Sequence, residues 1–122
     1  MQGFQVTFYT HLQRRQGHSA LYQWLMHVLA EQGVKGATLT MGSESFGRSG
    51  KFHSNYFVEL SDQPVEVTAA MTEEQATKLF AFLEQEHVDV FYIKMLVEYG
   101  TVGLGSTQEF PARDVPADKP VR

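Results

Sequence analysis

The spacing of apolar residues alternates between the repeat of a β-strand and that of an α-helix, and this pattern constrains the fold most strongly. Phe4, Val6 and Phe8 alternate with polar residues, which indicates a strand with one apolar face. Residues 21–29 carry apolar side chains at the i, i+3, i+4 spacing of an amphipathic helix. Ser19 is the predicted N-cap of this helix and Gly33 its predicted stop.

The next segments are strand-like again. Residues 37–41 alternate apolar and polar side chains, and residues 55–60 predict a third strand. A turn-like break at 61–64 follows, and alternation resumes over 65–69, so the strand continues after the break. Pro64 has no backbone N–H, which fits a bulge, a sheet edge or a strand start.

A second helix is predicted from Thr72 onward. Thr72 and Gln75 have the spacing of a capping box, and Glu73 and Glu74 favour the positive end of the helix. Its apolar stripe consists of Ala76, Leu79, Phe80 and Leu83. Residues 91–99 predict the last long strand.

The order strand, helix, strand, strand, helix, strand predicts an α+β fold, the ferredoxin-like βαββαβ sandwich, with both helices on one face of an antiparallel sheet. The folded domain is expected over residues 1–100, with a flexible tail over 101–122 that is rich in Pro and Gly. The helix-free face is expected to be too apolar to stay in water, so we expect a homo-oligomer to cover it. The residues expected there are Thr7, Tyr9, Phe57, Tyr92 and Leu96.

Composition excludes several classes of protein. The 122 residues are 43% hydrophobic with a net charge of −4, which argues against a broad nucleic-acid or membrane-surface partner. The chain has no cysteine, so it offers no disulfide and no thiolate chemistry. No apolar run reaches the length of a membrane span and no signal peptide is evident, so a cytoplasmic location is expected.

Residues 42–53 form a long, glycine-rich connection that ends in cationic side chains. Arg48 and Lys51 can make charge-assisted hydrogen bonds to a phosphate or carboxylate, and His53 can bind an anion or a metal, or act as a structural hydrogen bonder. Long connections in compact domains are usually functional or disordered. The segment therefore predicts an anionic ligand or a partner protein, with an ordinary solvated loop as the alternative.

The same segment nearly matches the phosphate-loop pattern G-x-x-x-x-G-K-[ST], with Arg48 in place of the lysine. That pattern binds phosphate when a helix follows, whereas residues 55–60 predict a strand. A nucleotide-hydrolysing loop is therefore not expected. The chain also lacks the G-x-S-x-G pattern of a serine nucleophile, and no enzyme activity is expected.

Five stretches resemble a bacterial family of unknown function within the PII-like signalling superfamily. They read GVKGAT (33–38), SFGRSGKFHS (45–54), LSDQPVEV (60–67), FYIK (91–94) and VEYG (97–100). The resemblance implies a ferredoxin-like homotrimer with a regulatory role. It also implies a small effector, commonly an adenine nucleotide, bound in clefts between subunits. The loop would dock on a target protein, such as a membrane transporter or an enzyme.

Carried over by position, the resemblance assigns two sets of residues to the ligand. Gly36, Gly42, Gly47 and Gly50 would be the positions of close backbone approach, and Arg48, Lys51 and His53 would contact phosphate or the target. Tyr9, His11, Arg14 and Arg15 form a second polar cluster after the first strand. In a trimer Arg14 and Arg15 could add phosphate contacts near the loop of a neighbouring subunit, and ordinary solvation at the surface is the favoured alternative.

Three alternatives stay open from the sequence. A CutA-like trimer associated with divalent metal has the same architecture, and the five histidines support it. A protein-interaction module without a ligand would use the loop alone. A small catalytic domain of the same fold class is the third.

Overall fold

A computed structural model describes residues 1–42 and 62–103 in full and the backbone of residues 44–46 and 52–54. Its elements are β1 (Gln2–His11), β2 (Arg15–Gln16), β3 (Ser19–Ala20), α1 (Leu21–Glu31), β4 (Ala37–Met41), β5 (Glu44–Phe46), β6 (Phe52–Ser54), β7 (Pro64–Met71), α2 (Glu73–Gln85) and β8 (Phe91–Glu98). The strand predicted over 55–60 and most of the tail predicted over 101–122 lie outside the described residues.

The main sheet contains four strands in the order β4-β7-β1-β8, and every neighbouring pair is antiparallel. This is the ferredoxin-like order, so the predicted fold class is confirmed. The third strand of the fold is β7, the segment in which alternation resumes after the break. Pro64 begins it, so the strand start is the one observed among the three positions that the sequence left open for this proline.

The core lies between the two helices and one face of this sheet. Val6 of β1 is paired with Ala69 and Phe8 with Val67, so their side chains share the helix side. The apolar stripes of both helices complete the same cluster. Its largest fully buried side chains are Phe8, Leu21, Leu25, Leu29, Met71 and Leu79.

Helix α1 starts differently from the prediction and ends as predicted. Ser19 is not the N-cap: it lies in β3, and Ala20 takes the cap position with no side-chain hydrogen bond. A carbonyl supplies the missing acceptor, because the Leu21 N–H donates to Arg14 O at 2.7 Å. At the other end Gly33 has a φ of 86°, the left-handed conformation that glycine adopts without strain.

The capping box of α2 is confirmed. The Gln75 N–H donates to Thr72 Oγ1 at 3.0 Å, and the Thr72 N–H donates to Gln75 Oε1 at 2.9 Å. The Gln75 side chain also donates to the Gly33 carbonyl at 3.0 Å, which ties the start of α2 to the end of α1. Within the described residues, neither helix is long and apolar enough to cross a membrane.

The predicted helix-free face needs a correction. Register places Tyr92 opposite Phe8 and Leu96 opposite Phe4, so both lie on the helix side of the sheet. Thr7 and Tyr9 do lie on the helix-free face, and Phe57 is outside the described residues. The exposed apolar residues of that face are Phe91, Ile93 and Met95. Because side chains alternate along a strand, a shift of one residue in register exchanges the two sets.

Candidate functional site

Several chain segments meet at one end of the sheet, where β1 and β4 end and β7 and β8 begin. His11 is paired with Pro64 there, Met41 with Val65, and Tyr9 with Phe91. We call this the loop end of the sheet. The glycine-rich segment leaves from it after β4 and returns to it before β7.

Both ends of residues 42–63 are tied to the loop end by hydrogen bonds. The Gly42 N–H donates to Pro64 O at 2.9 Å, and the Leu12 N–H donates to Gln63 O at 2.8 Å. A weaker contact joins the Gln13 N–H to the Asp62 carboxylate at 3.4 Å. The base of the segment is thus fixed to the connector that follows β1.

Part of the predicted loop 42–53 is a β-hairpin. Strands β5 and β6 pair antiparallel, with Ser45 opposite His53 and Phe46 opposite Phe52. The short strand β6 follows the near phosphate-loop pattern at residues 52–54, whereas the strand predicted over 55–60 lies outside the described residues. Gly47, Arg48, Gly50 and Lys51 lie outside the described residues, and His53 is described by its backbone alone.

The second polar cluster is partly engaged in structural contacts. The Arg14 guanidinium donates to the Asp89 carbonyl, which links the connector after β1 to the connection between α2 and β8. The Arg15 guanidinium donates to His18 O at 2.6 Å, within its own hairpin. The Tyr9 ring packs against Phe91 at 5.7 Å between ring centroids. The contacts of Arg14 and Tyr9 thus connect the end of β1 and its connector to the start of β8 and the residues before it.

Thr10 is a polar residue at the loop end that the sequence pattern does not single out. It is 5% exposed, and its hydroxyl has no hydrogen-bond partner among the described residues. In the sequence it looks like one more residue of an alternating strand, because its burial depends on how distant parts of the chain pack beside it.

The two glycines of the predicted site that the structure describes do not come together within one chain. Gly42 is at the loop end, and a Cβ there would lie 3.7 Å from the Pro64 ring, an ordinary contact. A Cβ on Gly36 would meet nothing within 4 Å. Since all of β4 separates them, the two positions lie roughly 20 Å apart at the usual rise of a strand.

Gly36 instead lines a shallow pocket between the end of α1 and the start of β4. The pocket encloses about 430 Å³, and Lys35 places a cationic side chain on its lining. The other lining residues are mainly apolar, among them Met26, Leu29 and Val34. Lys35, which no pattern in the sequence singles out, is therefore a further candidate contact for an anion.

Metal-binding groups are dispersed over the described residues. Within residues 1–42 and 62–103, no three His, Asp or Glu side chains come close enough together to hold a metal ion. His27 pairs with Glu31 at 3.1 Å on the exposed side of α1. The described part of the chain therefore adds no metal-binding cluster in support of the CutA-like alternative.

Comparison with known proteins agrees with the resemblance in the sequence. The profile of the family DUF190, described as Uncharacterized ACR, COG1993, matches residues 3–98. No curated protein matches the sequence at a significant level.

Solved structures of PII-like proteins share the fold. One is a protein from Thermus thermophilus named as a PII-like signalling protein, with a TM-score of 0.58, 19% identity and coverage of 80% of this chain and 88% of that one. Another is CPII, a nitrogen regulatory PII-like protein from Thiomonas intermedia bound to ADP, AMP and bicarbonate, with a TM-score of 0.57, 18% identity and coverage of 80% and 89%.

Proposed function

The chain belongs to the DUF190 family, and we propose that it is a PII-like trimeric regulator rather than an enzyme. It binds a small anionic effector in clefts between subunits and acts on a target protein through residues 42–53. An adenine nucleotide is the first candidate effector, because the CPII structure of the same fold contains ADP and AMP. The expected setting is the bacterial cytoplasm, with an enzyme or a membrane transporter as the target.

The attachment of residues 42–63 to the loop end carries this proposal. Both ends of the segment are hydrogen-bonded at the loop end of the sheet, so a ligand held by the hairpin acts on a segment whose base is fixed. A ligand changes such a segment only through different affinities for its conformations. The hairpin can then present one surface to the target with the effector bound and another without it.

The cations of the hairpin supply the charge that the effector requires. Arg48 can hold a phosphate with two parallel hydrogen bonds, and Lys51 adds a flexible ammonium. His53, in β6, adds a third donor when protonated. Gly42, Gly47 and Gly50 allow the backbone to approach the ligand closely.

The position of Gly36 favours a site that is shared between subunits. Within one chain Gly36 and Gly42 are separated by the whole of β4. A ligand that contacts both positions therefore has to take one from each of two neighbouring chains. In this arrangement the pocket beside Lys35 faces the hairpin of the next subunit.

The helix-free face provides a surface for trimer formation. Phe91, Ile93 and Met95 are about half exposed and lie on one face of an edge strand. Edge strands with exposed apolar residues tend to pair with another chain. A closed ring of three copies buries this face once per subunit.

A thermal-shift screen tests the effector. We expect ADP, AMP or ATP to raise the unfolding midpoint of the full-length protein, because a ligand of the folded state stabilises it by mass action. Arg48→Ala and Lys51→Ala should abolish the shift, whereas Lys78→Ala, which removes an exposed cation from α2, should preserve it. No shift with any nucleotide or simple anion, or the same shift in all variants, would contradict the assignment.

A further inference from the structure

A second pocket lies on the helix side of the sheet at its β8 edge. It encloses about 410 Å³ between α2 and β8. The hairpin leaves the sheet from β4, which is the opposite edge. Nothing in the proposed effector site uses this pocket.

The floor of the pocket is apolar and its lining carries one charge of each sign. Phe8, Val88 and Val90 form apolar surface, while Lys94 of β8 and Glu84 of α2 also line it. Small-molecule sites usually combine such an apolar lining with a few polar groups that fix the orientation of the ligand. The pocket therefore has the composition of a small-molecule site.

Lys94 is held over aromatic rings. Its Nζ lies 4.7 Å from the centroid of the Phe4 ring and 5.3 Å from that of Phe80. These cation–π contacts occupy one side of the ammonium and position it at the pocket. The Phe80 ring is itself packed against Tyr92 at 4.6 Å between ring centroids, which fixes this wall.

Neither Lys94 nor Glu84 has an ion-pair partner within residues 1–42 and 62–103. The ion pairs described there join His27 with Glu31 and Lys78 with Glu74. The ammonium of Lys94 thus keeps donors for an anion, and the Glu84 carboxylate keeps acceptors for a cation. A ligand that carries both charges on a small apolar body matches this arrangement.

We propose that the pocket binds a free α-amino acid with an apolar side chain. The carboxylate of the ligand accepts hydrogen bonds from Lys94, its ammonium group faces Glu84, and its side chain packs against Phe8, Val88 and Val90. The proposal stands apart from the proposed function, because it requires neither the hairpin nor a nucleotide.

Isothermal titration calorimetry on the full-length protein tests the proposal with three related probes. L-Phenylalanine carries both charges, 3-phenylpropanoate lacks the ammonium group, and 2-phenylethylamine lacks the carboxylate. We expect saturable binding of L-phenylalanine and about tenfold weaker binding of each of the other two, since each loses one charged hydrogen bond.

Matched variants assign the two charges. Lys94→Gln and Glu84→Gln should each weaken L-phenylalanine binding about tenfold. Lys78→Gln and Glu86→Gln remove the same charges from α2 and its C-terminal cap, outside the pocket, and should have no effect. Glu84 is exposed, so Glu84→Gln should keep the unfolding midpoint of the original protein, and Lys94→Gln should lower it slightly because it removes the cation–π contacts with Phe4 and Phe80.

Three results would overturn the proposal: no binding of L-phenylalanine, equal binding of all three probes, or unchanged affinity in both pocket variants. Arg48→Ala separates this site from the effector site. It should leave amino-acid binding intact whether or not it abolishes nucleotide binding.

Discussion

Ile93→Asp should separate the proposed trimer into single subunits. Ile93 lies between Phe91 and Met95 on the helix-free face of β8, directly across from Thr7. If this face is buried between subunits, the substitution places a carboxylate in an apolar contact. The charge would have no partner on its own face of β8, where its neighbours are apolar.

The expected magnitude follows from the exposure of these side chains. Phe91, Ile93 and Met95 are 51%, 44% and 49% exposed. Full burial of such a side chain is worth about 1.5–3 kcal/mol, so completing the burial of each contributes roughly 1 kcal/mol. The substitution removes the burial energy of Ile93 from each of the three subunits. The trimer therefore loses about 3 kcal/mol, which lowers its association constant roughly 100-fold. Desolvation of the new carboxylate adds to this cost.

Size-exclusion chromatography with multi-angle light scattering measures the result. The original protein should elute with the mass of three chains and the Ile93→Asp variant with the mass of one. Leu96→Asp is the matched control, because Leu96 is 70% exposed on the same strand but on its helix side. A monomeric original protein, or dissociation by Leu96→Asp and not by Ile93→Asp, would refute the reasoning.

Three further predictions concern stability. Gly3→Ala should lower the free energy of unfolding by about 2–3 kcal/mol in denaturant titration, because its Cβ would lie 2.1 Å from Met71 O. Gly36→Ala is the control: its Cβ would face open space, so the free energy of unfolding should change by no more than about 0.5 kcal/mol. Thr72→Ala should cost about 1 kcal/mol in the same assay, since it removes the capping box, and an unchanged midpoint would contradict that role. Burial raises the pKa of Tyr99 above its usual 10.0, so its contribution to stability is complete below that pH and is lost as the pH rises through the higher folded value. Thermal melts across this alkaline range should show that loss, and Tyr99→Phe should reduce it.

Local patterns in the sequence were sufficient to predict the main elements. The alternation around Val6 and Phe8, the stripe of α1 and the Thr72 capping box depend on residues a few positions apart. The same holds for Gly33, whose left-handed conformation ends α1. Their order along the chain was then enough to predict the sheet.

Contacts between distant parts of the chain were not predictable in this way. The face on which Tyr92 and Leu96 lie depends on the pairing of β8 with β1, and a local pattern does not contain that register. The start of α1 was also not predictable from a local pattern. The Leu21 N–H donates to the Arg14 carbonyl in the preceding connector and not to a side-chain cap. His87 adopts a φ of 57° at the end of α2, where a glycine would be the usual signal.

In the candidate site, too, local features could be predicted from the sequence and contacts between distant residues could not. Glycines and cations at 42–53 were visible as a local composition, and they predicted an anion-binding segment. The link from Arg14 to Asp89 joins residues 75 positions apart, so only the fold reveals it. Lys94 looked like an ordinary strand residue, and its contacts with Phe4 and Phe80 arise from two other elements.

Binding of ADP to mixed trimers tests the central claim most directly. Gly36→Glu adds a negative charge beside Lys35 in open space, and Arg48→Ala removes a cation from the hairpin. Each variant alone should fail to bind ADP in isothermal titration calorimetry. If each cleft combines Gly36 of one subunit with Arg48 of its neighbour, trimers reassembled from both variants regain intact clefts and bind ADP at a reduced stoichiometry. Mixed trimers that bind no ADP, while the original protein binds it, would contradict a site shared between subunits.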